Sequence, residues 1–466
     1  MTFARSYASL FTGTGVEVPT LNGRKTRYIN LDNAASTPAL LAVQEVVNNF
    51  LTYYSSVHRG TGFKSQLSTH AYERAREAVL HFVGGDPRIH TCIFVKNTTE
   101  ALNKLARRFP FTKERDILLT TGMEHHSNDL PWRAVTKTIH VRIKPGGRLD
   151  EDDFDDQLEK YGDRIALVSI TGASNVTGYL NPIHSLAEKA HAAGAQIAVD
   201  CAQLAPHRKV ELLSPDDPAH LDFIALSAHK LYAPFGSGAL IGRREFFEQG
   251  DPDQTGGGTV EIVTLEDVSW TNPPDKEEAG SPNTVGAVAF GAAVKELEKV
   301  GMDTIAEHES RLTAYALQRL AKVPGLKIYG DPDPANAGER LGVIPLQLDG
   351  LSHFLVAAIL GYEFGIGVRS GCFCAHPYIL HLLNLSNEQA YSVRERILAG
   401  DKSEMPGLVR ASFGLYNTFA DVDALVEAIH RIASGEYQGI YDQNLASGEF
   451  SLRDWLPDFD HYFSFE

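Results

Sequence analysis

The chain has 466 residues, enough for two domains with large cores. Its 43% hydrophobic and 22% charged content is that of a globular protein, and a net charge of -16 argues against nucleic acid or anionic membrane surfaces as partners. Apolar runs are broken by Gly, Asp or Lys before they reach bilayer length, the stretch "MTFARSYASLFTGTG" lacks the apolar core of a secretory signal, and four cysteines make no disulfide framework, so a reducing, cytoplasmic setting is expected.

Taken in chain order, short apolar runs ending in small or polar residues predict buried strands at "TCIFVKN", "DILLTT", "IALVSITG", "AQIAVDCAQ", "DFIALSAHK" and "GALIG". Helical periodicity appears between them in "TTEALNKLARRF" and "IHSLAEKAHAAG", the latter closed by Gly194. This alternation predicts an α/β domain with a mostly parallel central sheet. From about Val300 the pattern changes to a long helix, "GMDTIAEHESRLTAYALQRLAKV", followed by strand-like "GVIPLQLDG" and "GIGVRSGCFCAHPYI", which predicts a smaller α+β C-terminal domain. The expected organisation is an N-terminal segment packing on the small domain (1–30), a large domain (31–295), a small domain (296–430) and an acidic, aromatic C-terminal extension (431–466). That extension has too many Phe, Tyr and Trp residues for a free tail and is expected to lie against the body or a partner subunit.

Ligands of such sheets sit beyond the carboxyl ends of the strands, and the unusual residues are found there. Lys230 stands at the mouth of a strand before a glycine-rich loop, a setting that a solvated lysine does not need. Asp200 ends another buried strand, where a carboxylate is costly unless paired, and a protonated pyridine nitrogen is one such partner. Thr98 and Thr99 open a helix after Asn97, which suits a phosphate as well as an ordinary N-cap. Glu124, His125 and His126 follow a further strand, and an imidazole there can stack on an aromatic ligand, bind a metal or satisfy the core. Together these are the parts that hold pyridoxal 5′-phosphate: Lys230 for its aldehyde, Asp200 for the ring nitrogen, Asn175 and Gln203 for O3′, and Thr98, Thr99, Ser227 and His229 for the phosphate. A lysine that attacks an aldehyde must be neutral, so a lowered Lys230 pKa is expected.

The blocks "LDNAASTP", "HRGTGFKSQLSTHAYERAREAV", "NTTEALN", "EHHSNDLPW", "NVTG", "VDCAQ", "SAHKLYAPFGSGAL", "AGSPNT", "VRSGCFCAHP" and "RASFGLYNT" resemble, in order, those of class V aminotransferase-fold enzymes, in particular the type II cysteine desulfurase and selenocysteine lyase branch. The resemblance runs from about Leu31 to about Asp423. It implies the fold type I of pyridoxal phosphate-dependent transferases and a homodimer with shared active sites. It also implies that His125 stacks on the cofactor and shuttles protons, and that Ser281 reaches the phosphate of the other subunit. Arg369 and Arg410 would lie near the substrate, with Arg410 as the clamp on its α-carboxylate, and Cys374 would be the nucleophile. The implied reaction converts L-cysteine to L-alanine with a persulfide on Cys374, whose sulfur then passes to a protein or small-molecule acceptor. A C–S lyase, a selenocysteine lyase, an epimerase and a non-catalytic sulfur-transfer scaffold are the alternatives, and no metal site is expected.

Two features depart from the family pattern. "GCFCAHP" has Cys372 and Phe373 where the family blocks carry two histidines, and Cys372 is expected to pack rather than react. "LSNEQAYSVRERILAGDKSEMPG" looks like an inserted helix and loop between Cys374 and Arg410. Cys92 and Cys201 are expected to be buried packing residues.

Overall fold

Seven strands form the central sheet, in the order His90–Val95, Gly238–Arg243, Phe223–Ser227, Gln196–Asp200, Ile165–Thr171, Ile117–Thr121 and Lys137–Val141. Six run parallel, and Gly238–Arg243 lies antiparallel between its two neighbours. The strands Ile117–Thr121, Ile165–Thr171 and Phe223–Ser227 are buried at every position, because helices cover both faces of the sheet. That is why they read as unbroken apolar runs. Six of the seven strands were expected; the seventh, Lys137–Val141, is a partly exposed edge strand whose sequence has no such run. The structure is a computed structural model describing residues 7–465; residues 1–6 of the expected N-terminal segment and residue 466 of the C-terminal extension lie outside the described residues.

One glycine is required by a close approach. A Cβ on Gly238 would stand 2.5 Å from Leu226 O and 2.7 Å from Asn97 Cα, so bare backbone is needed where the antiparallel strand passes the start of the helix Thr98–Arg108. One face of the sheet packs a core that includes Val79, Phe290, Ile197 and Leu186; the other packs Leu102, Leu105, Trp132 and Phe247.

The smaller unit is an antiparallel four-stranded sheet ordered Leu326–Ile328, Val343–Leu348, Leu408–Ser412, Arg369–Gly371. Its own core is filled from the helices Met302–Leu320, His353–Phe364 and Phe419–Ala433. The N-terminal segment, expected on this domain, divides between the two cores. Ile29 enters the small-domain core, and Ile29–Asn30 pairs in parallel with Ile366–Gly367, whereas Tyr7 and Phe11 enter the large-domain core, Phe11 against Tyr232 and Tyr416.

The insertion forms the helix Asn387–Leu398, opened by a capping box of Ser386 and Gln389 and burying none of its residues. The C-terminal extension lies on this chain's own small domain. Glu363 accepts the N–H groups of Gln438 and Gly439 and the Tyr441 hydroxyl, after which Tyr441–Gln443 and Phe450–Leu452 form a hairpin. The Lys402 N–H donates to Leu445 O at 2.8 Å and ties the insertion to the extension. Among the described residues, no helix is long and apolar enough to cross a membrane.

Candidate active site

A cavity of about 210 Å³ opens where the parallel strands of the large sheet end. Each strand end delivers its own side chains: Thr98 and Thr99 after His90–Val95, His125 after Ile117–Thr121, Asn175 after Ile165–Thr171, Asp200 and Gln203 at the end of Gln196–Asp200, and Ser227, His229 and Lys230 at the end of Phe223–Ser227. Arg369, Phe373, Cys374 and Arg410 enter from the small domain. Ser281 does not line the cavity; it is exposed, just before the helix Thr284–Val300.

At one end the groups are donors and hydroxyls. Asn97 Oδ1 accepts the Glu100 N–H at 3.0 Å and caps the helix. The Thr98 N–H donates to Ser227 Oγ at 2.9 Å, and Ser227 Oγ donates to Thr98 Oγ1 at 2.8 Å. Thr99 Oγ1 and Ser127 Oγ are 2.6 Å apart. The Ser127 N–H donates to His125 Nδ1 at 3.1 Å, so Nδ1 is an acceptor and the neutral ring carries its proton on Nε2. Burial, aided by the charges of Lys230, His126 and Arg410, brings the His125 pKa down to about 3. Burial and Lys230 likewise bring His229 to about 4.

In the middle are Asp200 and Lys230. The Asp200 carboxylate accepts the Ala202 N–H at 2.9 Å, has no other hydrogen bond among the described residues, and is pushed up in pKa by burial. Lys230 Nζ makes no hydrogen bond among the described residues. Burial lowers its pKa to about 8, with Asp200 opposing and Arg410 assisting. Gln203 Nε2 donates to Ala34 O at 2.6 Å, and Asn175 Nδ2 to Phe373 O at 2.7 Å. Behind His125, the buried Glu124 accepts from Thr121 Oγ1, Asn128 Nδ2 and the Thr171 N–H; burial raises it to about 8 against those bonds.

At the other end Arg410 is buried and donates to Asn175 O at 2.9 Å and Asp32 Oδ1 at 3.0 Å. Among the described residues its Nε is buried without a partner, and its guanidinium carbon lies 4.7 Å from the Phe373 ring centroid. Arg369 is exposed and stands 3.6 Å from Asp32. Of the four cysteines, Cys374 is exposed and the other three are buried. Cys372 Sγ donates to Pro406 O at 2.9 Å, and burial pushes its thiol up to about 12, which disfavours the thiolate.

Lys230, Asp200 and the helix start at Thr98 and Thr99 thus share one cavity at the strand ends of the large sheet. Residues 29–425 fit the family model described as aminotransferase class-V. The chain belongs to the class V aminotransferase family. It is 34% identical over 413 residues to a cysteine desulfurase of Haloferax volcanii, covering 87% of this chain and 89% of that one. It is 35% identical over 421 residues to a cysteine desulfurase of Serratia proteamaculans, covering 88% and 94%. The apo structure of a cysteine desulfurase from Thermococcus onnurineus NA1 superposes with a TM-score of 0.76 at 30% identity, covering 93% of this chain and all of that one.

The class V family implies pyridoxal 5′-phosphate, and the donor set fits it. Asp200 is a buried carboxylate with one N–H and no cation hydrogen-bonded to it, which a pyridinium N–H would complete. Lys230 is a buried amine whose pKa burial lowers to about 8, with nothing bonded to Nζ among the described residues. Three residues of the site went unassigned in the sequence. Asp32 sits in the "LDNAAS" block and Ser127 in "EHHSN", so their blocks were visible. Their contacts, to Arg410 and to Thr99 and His125, join segments that only the fold brings together. Phe373 left no signal beyond the "GCFC" departure.

Proposed function

We propose that this protein is a pyridoxal phosphate-dependent cysteine desulfurase that converts L-cysteine to L-alanine and keeps the sulfur as a persulfide on Cys374. The observation that carries the reading is a single exposed cysteine opening into the same cavity as Lys230 and Arg410. When bound, the cofactor supplies an electron sink that makes the α-proton of the amino acid acidic.

The chain's own groups do the rest. Thr98, Thr99, Ser227 and His229 would hold the phosphate, Asp200 would keep the ring nitrogen protonated, and Asn175 and Gln203 would serve O3′. Neutral His125 would stack on the ring, with its Nε2–H as a hydrogen-bond donor. Lys230, neutral at a modest cost because of its lowered pKa, takes the α-proton at Nζ. Arg410 clamps the α-carboxylate and Arg369 assists from the rim. Cys374 Sγ attacks the substrate sulfur: the S–S bond forms, the C–S bond breaks, and the carbon fragment leaves as alanine after protonation. The working form is a cytoplasmic homodimer in which Ser281 reaches the partner's phosphate site, and a protein or small molecule takes the sulfur from Cys374.

With L-cysteine as substrate, alanine and persulfide sulfur should appear in equal amounts, and Cys374→Ala should abolish the sulfur product. Equal sulfur release by Cys374→Ala would remove Cys374 as nucleophile. Pyruvate and ammonia in place of alanine would mark a C–S lyase.

A further inference from the structure

The segment Cys372–His376 belongs to the small domain but is fastened to the large one. Phe373 (φ 51°) and Cys374 (φ 55°) are consecutive non-glycine residues in the left-handed region, which such residues avoid. A loop of that shape persists only where contacts hold it. Asn175 Nδ2 donates to Phe373 O at 2.7 Å, and the His126 N–H donates to Cys374 O at 2.7 Å. The His126 ring then grips the far side of the cysteine. Its Nε2 accepts the His376 N–H at 3.3 Å and faces His376 Nδ1 at 3.1 Å, and the two rings stack with planes 5° apart and centroids 4.9 Å apart. With Nε2 of His126 accepting, Nδ1 of His376 carries the proton of their shared bond.

Cys374 is therefore bracketed by one residue, His126, through its backbone on one side and its ring on the other. His126 does not line the catalytic cavity, so it acts through the loop rather than on substrate or cofactor. His376 lies two residues beyond the reactive thiol and does not line the cavity either.

We propose that His126 and His376 form a clip that holds the cysteine loop against the large domain, presenting Cys374 Sγ to the cavity for sulfur uptake. They are positioning residues, and their role rests on the reading of Cys374 as the first sulfur acceptor. An intact clip favours attack on bound substrate, and an open one exposes the thiol to outside reagents.

The test uses the full-length, cofactor-loaded enzyme and the variants His126→Phe, His376→Phe, their double, and His126→Gln. Phenylalanine keeps a ring to stack but removes the hydrogen bond; glutamine keeps an acceptor near the position of Nε2. Single-turnover formation of the Cys374 persulfide should fall about tenfold in each Phe variant, the scale expected for a small misplacement of a reacting atom. KM for L-cysteine should stay within about twofold, and the visible spectrum of the cofactor should not change. Alkylation of Cys374 by iodoacetamide should quicken by about threefold or more as the open population rises. The double variant should be no slower than His126→Phe, which by itself removes both bonds at Nε2. His126→Gln should recover most of the lost rate. Additive losses in the double variant, an unchanged rate of persulfide formation, or failure of glutamine to rescue would each overturn the clip. Failure of the functional reading looks different: Cys374→Ala would release sulfur normally, while the alkylation rates of the clip variants would still report on the loop.

Discussion

At Lys230, opposing influences meet on one nitrogen. Burial and the Arg410 charge favour the neutral amine, Asp200 favours the ammonium, and burial wins, leaving a pKa of about 8 against an ordinary 10.5. About a tenth of the amine is then neutral at pH 7, far more than for a solvated lysine. Cofactor-free protein should take up pyridoxal phosphate at a rate that climbs roughly tenfold from pH 7 to a plateau near pH 9. A flat profile by absorbance would show that free amine does not limit the reaction. The stability sign follows. Between pH 8 and 10.5 the unfolded lysine holds its proton and the folded one has lost it, so this group's contribution to stability rises with pH across that window. Lys230 and Asp200 could be picked out in the sequence because each is an expensive residue at the end of an apolar strand. Glu124 sits in the same kind of position, but what it bonds to could not be read. Two of its donors, Asn128 and Thr171, come from a later turn and a neighbouring strand.

Among the elements, the antiparallel strand Gly238–Arg243 places the strongest demand on its sequence. Gly238→Ala should press its new methyl group against Leu226 O and the Asn97 backbone, at a cost of about 1–3 kcal/mol. Because Asn97 caps the helix bearing Thr98 and Thr99, cofactor affinity should weaken along with stability. Gly257, where a methyl group would meet nothing within 4 Å, is the control. Thermal unfolding and a cofactor titration of both variants decide the matter; equal behaviour would count against the close approach. The strand itself was legible as an apolar run, but its direction was not, since such a run reads the same either way. The edge strand Lys137–Val141 was missed because partial exposure mixes its pattern. The inserted helix was legible for the opposite reason: Ser386 and Gln389 signal its start whatever it packs against.

Over the whole molecule, two separate cores meet at the cavity, and chain segments from both ends hold the small domain in place. The C-terminal extension buries Leu452 and satisfies Glu363, on the helix that also carries Phe354 and Tyr362. Ending the chain after residue 435 should cost roughly 2 kcal/mol from Leu452 alone and uncover that apolar surface. A lowered unfolding midpoint with increased binding of a hydrophobic dye is the expected result; an unchanged midpoint would mean that the extension is only draped on the surface. Its aromatic content foretold packing against something, but the sequence could not say that the surface was its own small domain. The choice depends on Glu363, which is 75 residues from Gln438.

The pairing of Ile29–Asn30 with Ile366–Gly367, and of Asp32 with Arg410 378 residues later, has a consequence for how the protein is made. A chain leaving the ribosome amino end first exposes Ile29 and Leu31 long before their partners exist. At ordinary elongation speeds that wait lasts roughly 20 to 70 s. During it the large sheet can close, but the arginine end of the cavity cannot, so the nascent chain can assemble the lysine half of the site well before its arginine half exists.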